Sequence, residues 1–232
     1  MKKGKRYSQA FEKIDREKKY LISEAIQMLS EFPHPKFDQT VELHIRLGVD
    51  PKKADQMVRG AIMLPHGIGK EMTVLVFAEG DKAEEAKKAG ADFVGMDDLA
   101  EKIQNGWTEF DVAISTPNLM GKVGKLGKIL GPRKLMPNPK SGTVTMDIED
   151  SVKESKAGKI EYRIDKYAII HTNVGKVSFK KNQLTENIKS LVKEIVQNKP
   201  ASAKGKYIKN ITICSTMSPG IKIDAVALVK EL

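Results

Sequence analysis

The chain has 232 residues, of which 40 are Lys or Arg and 30 are Asp or Glu, giving a net charge of +10. Hydrophobic residues make up 40% of the chain, which suits a globular protein better than a disordered one. No run approaches the ~18 apolar residues of a membrane span, and no apolar stretch follows the basic start as in a secretory signal. Cys214 is the only cysteine, which excludes an internal disulfide and a zinc site of paired cysteines. We therefore expect a cytoplasmic protein.

The positive charge is unevenly distributed along the chain. Residues 69–159 contain 14 Lys and Arg and 15 Asp and Glu, a net charge of −1, so the two flanking segments carry +11. Such an excess indicates an acidic partner, with nucleic acid as the first candidate and an anionic membrane surface as the second. A basic surface without a specific partner is the alternative.

The first predicted elements lie in the N-terminal flank. Apolar residues recur at helical spacing over residues 22–29, and the prolines of the Pro-His-Pro segment at 33–35 end that helix. Residues 37–47 alternate between polar and apolar side chains, which predicts a half-buried strand beginning at Phe37. A second extended segment is predicted near residues 57–64.

The middle of the chain has a different pattern. Residues 72–77 are a continuous apolar run, typical of a strand that is buried on both faces. Strand and helix signals then alternate: a helix at 81–88, a strand at 92–94, a helix at 97–103 and a strand at 112–114. This order predicts a small parallel sheet with helices on its faces.

The C-terminal flank returns to antiparallel-type signals. Extended segments are predicted at 160–164 and 168–172, an amphipathic helix at 183–197, and further strands from Ile208 onward.

From these patterns we predict a two-domain fold. The outer domain is an α+β sandwich built from both chain ends, residues 1–68 plus 160–232. Inserted in it is an α/β, Rossmann-like domain with a small parallel sheet, residues 69–159. The two connections, near 65–69 and 157–160, would form a hinge. One continuous α/β domain is the alternative.

The motifs do not indicate catalysis. The Gly- and Lys-rich run at 121–134 fits neither the G-x-x-x-x-G-K-[ST] phosphate loop nor the G-x-G-x-x-G fingerprint, so we predict no cofactor. Residues 118–140 hold six basic residues and no acid, which suits RNA phosphates or a solvated basic loop. The four histidines lie in separate segments without metal-ligand spacing, and Cys214 is predicted to be an inert thiol in a strand.

Three stretches together resemble the L-one family of ribosomal proteins. The first is KFDQTVE at 36–42 with LGVDP at 47–51 and DQMVRG at 55–60; the second is ILGPRKLMPNPK at 129–140; the third is GKVSF at 175–179 with STMSP at 215–219. The resemblance implies a non-enzymatic protein of the large ribosomal subunit. Its implied partners are large-subunit ribosomal RNA, exit-site tRNA, whose release it would assist, and its own operon mRNA, which it would repress. No membrane partner is expected, and the free protein would be a monomer.

The resemblance also implies which residues contact RNA. They are Lys36, Phe37 and Thr40 in the N-terminal flank, His171, Lys176 and Ser178 in the strand region that follows the insert, and Thr216, Met217 and Ser218 near the C-terminus. From its residue type alone, Phe37 could equally be a core residue. All nine positions lie in the flanks that carry the positive charge.

One of these positions departs from the family pattern. Ser218 stands where the family has glycine, and serine has less backbone freedom, which bears on any main-chain contact to RNA at 218. Two other classes of protein remain as alternatives: an RNA-modifying enzyme with the insert as its cofactor domain, and a chromosome-coating DNA-binding protein.

Overall fold

The computed structural model describes residues 4–232. Nine strands are present in this range: β1 Thr40–Leu47, β2 Arg59–Met63, β3 Val74–Phe77, β4 Phe93–Gly95, β5 Val112–Ser115, β6 Lys159–Arg163, β7 Ile169–Lys176, β8 Ile208–Ser215 and β9 Ile221–Ile223. The α-helices of the same range are α1 Lys5–Glu12, α2 Ile22–Glu31, α3 Asp81–Lys88, α4 Asp97–Gln104, α5 Met120–Val123, α6 Gly127–Leu130, α7 Ile148–Lys156, α8 Lys181–Gln197 and α9 Ala225–Lys230. No helix in residues 4–232 is both long and apolar enough to cross a membrane.

The chain divides into two compact units. Unit 1 comprises Met1–Gly69 and Ile160–Leu232, and unit 2 comprises Lys70–Lys159. The first three residues of the predicted outer domain lie outside the described residues. Unit 2 carries a net charge of −1, so the positive excess of +11 belongs to unit 1.

Unit 1 is built on a four-stranded sheet in the order β7-β1-β8-β9, with antiparallel neighbours throughout. Helix α2 packs against α8 and against β8 and β9, and α8 also packs on β7. The helices therefore cover one face of the sheet, and unit 1 is a two-layer α+β sandwich. The strands β2 and β6 form a separate two-stranded sheet.

The core of unit 1 follows from two sequence periods. The inward positions of β1 are Val41, Leu43, Ile45 and Leu47, each no more than 1% exposed. The apolar stripe of α8 faces them with Leu184, Ile188, Leu191 and Ile195, all buried. Apolar residues recur every second position on the strand and about every 3.6 positions on the helix, so each element has one apolar face, and the two faces pack together.

A bulge interrupts the pairing of β1 with β7 between Val41 and Glu42. Gly175 lies opposite Val41 with φ +147, and a Cβ at Gly175 would come within 2.9 Å of a Leu184 methyl carbon. Only glycine fits this position, because α8 approaches the backbone so closely. The bulge increases the local twist at the end of β7.

Unit 2 has a three-stranded parallel sheet in the order β4-β3-β5. All four residues of β3 are buried, because helices cover both faces: Leu75 and Phe77 pack in a cluster with α4, and Val74 and Val76 pack in a cluster with α7. The predicted α+β outer part and inserted parallel α/β sheet are confirmed as the fold class.

Two local predictions need correction. The first strand begins at Thr40, not Phe37, because its pairing with the neighbouring strands starts with Thr40 opposite Lys176 and Val41 opposite Ser215. The Gly- and Lys-rich run forms α5, α6 and connecting 3-10 turns that bury Val123, Leu126 and Leu130.

Candidate nucleic-acid interface

Three segments that are distant in sequence meet at one end of the unit 1 sheet. They are residues 36–41 at the start of β1, 176–178 at the end of β7 and 215–218 at the end of β8, and together we call them the three-segment surface. The register places Thr40 opposite Lys176 and Val41 opposite Ser215. The segments meet because β1 runs antiparallel to both neighbours, so its start adjoins their ends.

Thr40 is hydrogen-bonded to both other segments. Its N–H donates to Thr216 Oγ1 at 3.2 Å, and the Thr216 N–H donates back to the Thr40 carbonyl at 3.1 Å. The Lys176 ammonium donates to Thr40 Oγ1 at 3.0 Å. These contacts fix the Thr216 hydroxyl and the Lys176 charge in place on a surface that water reaches.

Gln39 lies beneath this surface and is only 2% exposed. Its Oε1 accepts from the Met217 N–H at 2.8 Å and from the Ser215 hydroxyl at 3.2 Å, and its carbonyl accepts from the Val177 N–H at 2.9 Å. One buried residue, through its side chain and its main-chain carbonyl, therefore links all three segments. Gln39 was not among the predicted site residues, although the alternation placed it on the inward-facing side with Val41, where a polar side chain is unusual.

Asp38 is a second residue that sequence analysis missed. Its carboxylate accepts from the Ser178 hydroxyl at 2.6 Å and from the Ser178 N–H at 3.2 Å. The charged acceptor orients Ser178 beside the start of β1. Its position within the KFDQTVE stretch gave no sign of this role.

Two large apolar side chains project from the surface. Phe37 is 53% exposed and Met217 is 63% exposed, so the core interpretation of Phe37 is wrong. Exposed apolar groups next to polar anchors are typical of a contact surface. Lys36, adjacent to Phe37, is also exposed.

The structure accommodates serine at the position of the family glycine. Among the described residues, the non-glycine positions with positive φ are Lys134 and Ala168, so Ser218 has an ordinary backbone conformation. Its hydroxyl accepts from the Ser215 N–H at 2.8 Å, and its own N–H donates to the Ser215 carbonyl at 3.0 Å. The serine therefore closes the turn that presents Met217.

His171 lies apart from the other predicted residues. It is exposed on β7, five positions before Lys176, which corresponds to about 17 Å along a strand. Its pairing partner is His44 on β1, and the two Nδ1 atoms are 2.8 Å apart. The structure thus groups eight of the nine predicted residues in the three-segment surface and leaves His171 further along the sheet.

Cys214 lies on β8 just before this surface and is partly buried. Burial raises the pKa of its thiol to about 11, with the nearby Glu42 carboxylate as a second cause. The thiol is therefore un-ionised at neutral pH and is a poor nucleophile.

These features define a class of protein: a two-unit α+β protein whose outer unit is strongly cationic and presents a preorganised polar surface built from both chain ends. The model of the Ribosomal protein L1p/L10e family matches residues 29–219. The chain is also 56% identical over 227 residues to the large ribosomal subunit protein uL1 of Lactobacillus acidophilus, a match that covers 98% of this chain and 99% of that protein. The chain belongs to the ribosomal protein L1p/L10e family, as its sequence motifs predicted.

Proposed function

We propose that this chain is a structural protein of the large ribosomal subunit and that its three-segment surface binds the stalk segment of large-subunit ribosomal RNA. The name of the uL1 relative and the +11 charge of unit 1 support the assignment. The observation that carries it is Gln39, which ties three distant segments into one surface. Membership of a ribosomal protein family favours a structural protein over the RNA-modifying enzyme.

A preformed surface of this kind suits folded RNA. Hydrogen bonds within the protein already hold Thr216, Lys176 and Ser178, so little conformational entropy is lost when RNA binds. The remaining hydrogen-bonding capacity of these three side chains matches ribose hydroxyls and phosphates. Phe37 and Met217 would cover apolar parts of the backbone, and recognition would depend on RNA shape more than on base edges.

The charge of unit 1 adds attraction that does not depend on sequence. Lys36 is exposed and Lys176 is held by Thr40, so both are available to phosphates. Contacts of this type speed association and weaken as salt rises.

The test is a filter-binding titration of the ribosomal RNA fragment at fixed salt. We expect Thr216→Ala to lower affinity by about 1–3 kcal/mol, because the Thr40 N–H loses its acceptor and the 216–218 turn loses its anchor. Thr216→Ser keeps the hydroxyl and should bind almost as tightly as the wild type. Equal affinities for Thr216→Ala and the wild type would refute the proposed interface.

Two finer functions follow as proposals from the family. The protein would bind its own operon mRNA through the same three-segment surface and so repress translation, and unit 2 would contact exit-site tRNA and assist its release. The candidates for the tRNA contact are Lys125 and Lys128, which are exposed in the short helical turns of residues 120–130. Lys122 in the same segment is paired with Glu79 and Asp97. The protein would act in the cytoplasm and be a monomer when free.

Competition distinguishes the two RNA sites. If one surface binds ribosomal RNA and messenger, the unlabelled ribosomal fragment should displace a messenger fragment completely. Lys125→Gln with Lys128→Gln should weaken tRNA binding and leave both other RNAs unaffected.

A further inference from the structure

The exposed face of the unit 1 sheet brings together three potential metal ligands. Glu42 and His44 are two residues apart on β1 and therefore project from the same face. The register places Cys214 of β8 directly opposite Glu42, and His171 of β7 directly opposite His44. All of them lie along the middle of the sheet, beyond the three-segment surface.

The distances suit a small cation. His44 Nε2 lies 3.3 Å from Cys214 Sγ and 3.7 Å from Glu42 Oε2. One ligand atom from each of the three residues lies within 4.8 Å of the others. In a tetrahedral zinc site with bonds of about 2.0–2.3 Å, neighbouring ligand atoms are separated by about 3.3–3.7 Å.

A hydrogen-bond chain sets the proton positions on the two histidines. The Asp165 carboxylate only accepts, so His171 donates its Nε2–H to Asp165 Oδ2 at 3.4 Å and leaves Nδ1 as an acceptor. With both rings neutral, His44 then donates its Nδ1–H across the 2.8 Å contact. The lone pair of His44 Nε2 consequently points toward Cys214 and Glu42.

The Asp165 carboxylate is itself held in position. The N–H groups of Tyr167 and Ile169 both donate to its Oδ1, each at 2.8 Å. Histidine ligands of metals commonly donate their second N–H to an acceptor that fixes the ring. His171, supported by Asp165, occupies that place relative to His44.

We propose that Glu42, His44 and Cys214 form a binding site for a thiophilic divalent cation of the zinc type, with His171 as the positioning residue. The ligand set is one thiolate sulfur, one imidazole nitrogen and one carboxylate oxygen, and a fourth position stays open to water. When the cation binds, the Cys214 S–H bond breaks, sulfur bonds to the metal, and the proton passes to solvent. The inference does not depend on RNA binding.

Cobalt(II) is the probe, because a Co²⁺–thiolate bond gives a charge-transfer absorption and a tetrahedral site gives intense visible bands. The full chain, stripped of metal with a chelator and then freed of the chelator, is titrated with Co²⁺ and next with Zn²⁺. We expect saturation at one Co²⁺ per chain and loss of the bands as Zn²⁺ displaces it. A wild-type chain that shows no thiolate band overturns the proposal.

Variants identify the ligands. Cys214→Ser should abolish the charge-transfer band, and His44→Gln should abolish tight binding. His66→Gln, which alters a histidine in a different part of unit 1, should leave the titration unchanged. His171→Ala should weaken binding roughly 10–100-fold while the saturated spectrum keeps its thiolate band.

Zn²⁺ should also raise the melting temperature of the wild type and of His66→Gln, but not that of His44→Gln. If Cys214→Ser fails to fold, the His44→Gln titration and the melting shifts still test whether the cation site exists. A thiolate band that persists in His44→Gln at unchanged affinity, or equal melting shifts in all variants, would show that the Cys214–His44 contact is only a hydrogen bond.

Discussion

Gln39 is the residue on which the three-segment surface most depends. Because its side chain is buried and its Oε1 has two donors, Met217 N–H and Ser215 Oγ–H, an apolar replacement leaves polar groups without an acceptor. We expect Gln39→Leu to lower the free energy of unfolding by about 1–3 kcal/mol, measured by urea denaturation, and to weaken RNA binding as well.

Gln27→Leu is the matched control, because it makes the same substitution at an exposed glutamine of α2, whose side-chain amide donates to the Glu31 carboxylate at 2.9 Å. It should retain more RNA affinity than Gln39→Leu. If Gln39→Leu has the same free energy of unfolding and the same RNA affinity as the wild type, Gln39 does not hold the three-segment surface together.

For single residues, the sequence predicted which side chains of the first strand are buried better than it predicted which residues they contact. Alternation along residues 37–47 identifies Val41, Leu43, Ile45 and Leu47 as core, and they are buried. The link from Gln39 to Met217 spans 178 positions. No local pattern encodes a contact of that separation, because strand order and register decide which side chains meet.

Among single elements, α9 offers a test of helix capping. The N–H groups of Ala227 and Val226 donate to the Asp224 carboxylate and lower its pKa. A carboxyl group with a lowered folded-state pKa stabilises the fold above its unfolded pKa of about 3.9, and that contribution is lost as the pH falls through the folded value.

The comparison is between wild type and Asp224→Asn, because asparagine still caps the helix but does not titrate. Their urea midpoints should differ at pH 7, with the wild type more stable, and the difference should shrink at about pH 3. A difference that stays constant across this range would contradict the role of Asp224.

Helix α8 carries a buried polar anchor at Asn187, which is 0% exposed. Its Oδ1 accepts from the His66 N–H at 3.0 Å, and its Nδ2 donates to the carbonyls of Gly67 and Val174 at 2.9 Å. These bonds attach the segment that follows β2 to the helix and sheet of unit 1.

Asn187→Ala should therefore lower the free energy of unfolding by about 1–3 kcal/mol, since buried backbone groups lose their partners. Asn182→Ala, on the exposed side of the same helix, is the control and should change stability little. Equal urea midpoints for the two variants would argue against the anchor.

Helices and strands with a clear hydrophobic pattern were predicted accurately, and those without one were not. The helix at Asp81–Lys88 and the parallel strands were predicted to within about two residues. The turns at 120–130 were missed because glycine recurs there, and glycine disfavours a helix by about 1 kcal/mol relative to alanine. Burial of Val123, Leu126 and Leu130 overrides that propensity.

For the whole molecule, the charge distribution predicts that one of the two units accounts for the binding of ribosomal RNA. The excess of +11 lies in unit 1, so unit 1 alone should bind ribosomal RNA. We expect a variant in which a short Gly-Ser linker replaces residues 70–159 to keep its affinity for the RNA fragment within about tenfold, or ~1.4 kcal/mol.

Circular dichroism must first show that the shortened chain is folded, and the filter-binding titration then gives its affinity. A folded deletion variant that fails to bind would mean that unit 2 supplies essential contacts.

The central claim is that residues 36–41, 176–178 and 215–218 form one surface against which folded ribosomal RNA packs. Amide hydrogen exchange of the full chain, with and without the ribosomal RNA fragment, measures this directly. Slower exchange in all three segments upon RNA addition is the predicted result. Unchanged exchange in those segments, with protection confined to residues 70–159, would contradict the account.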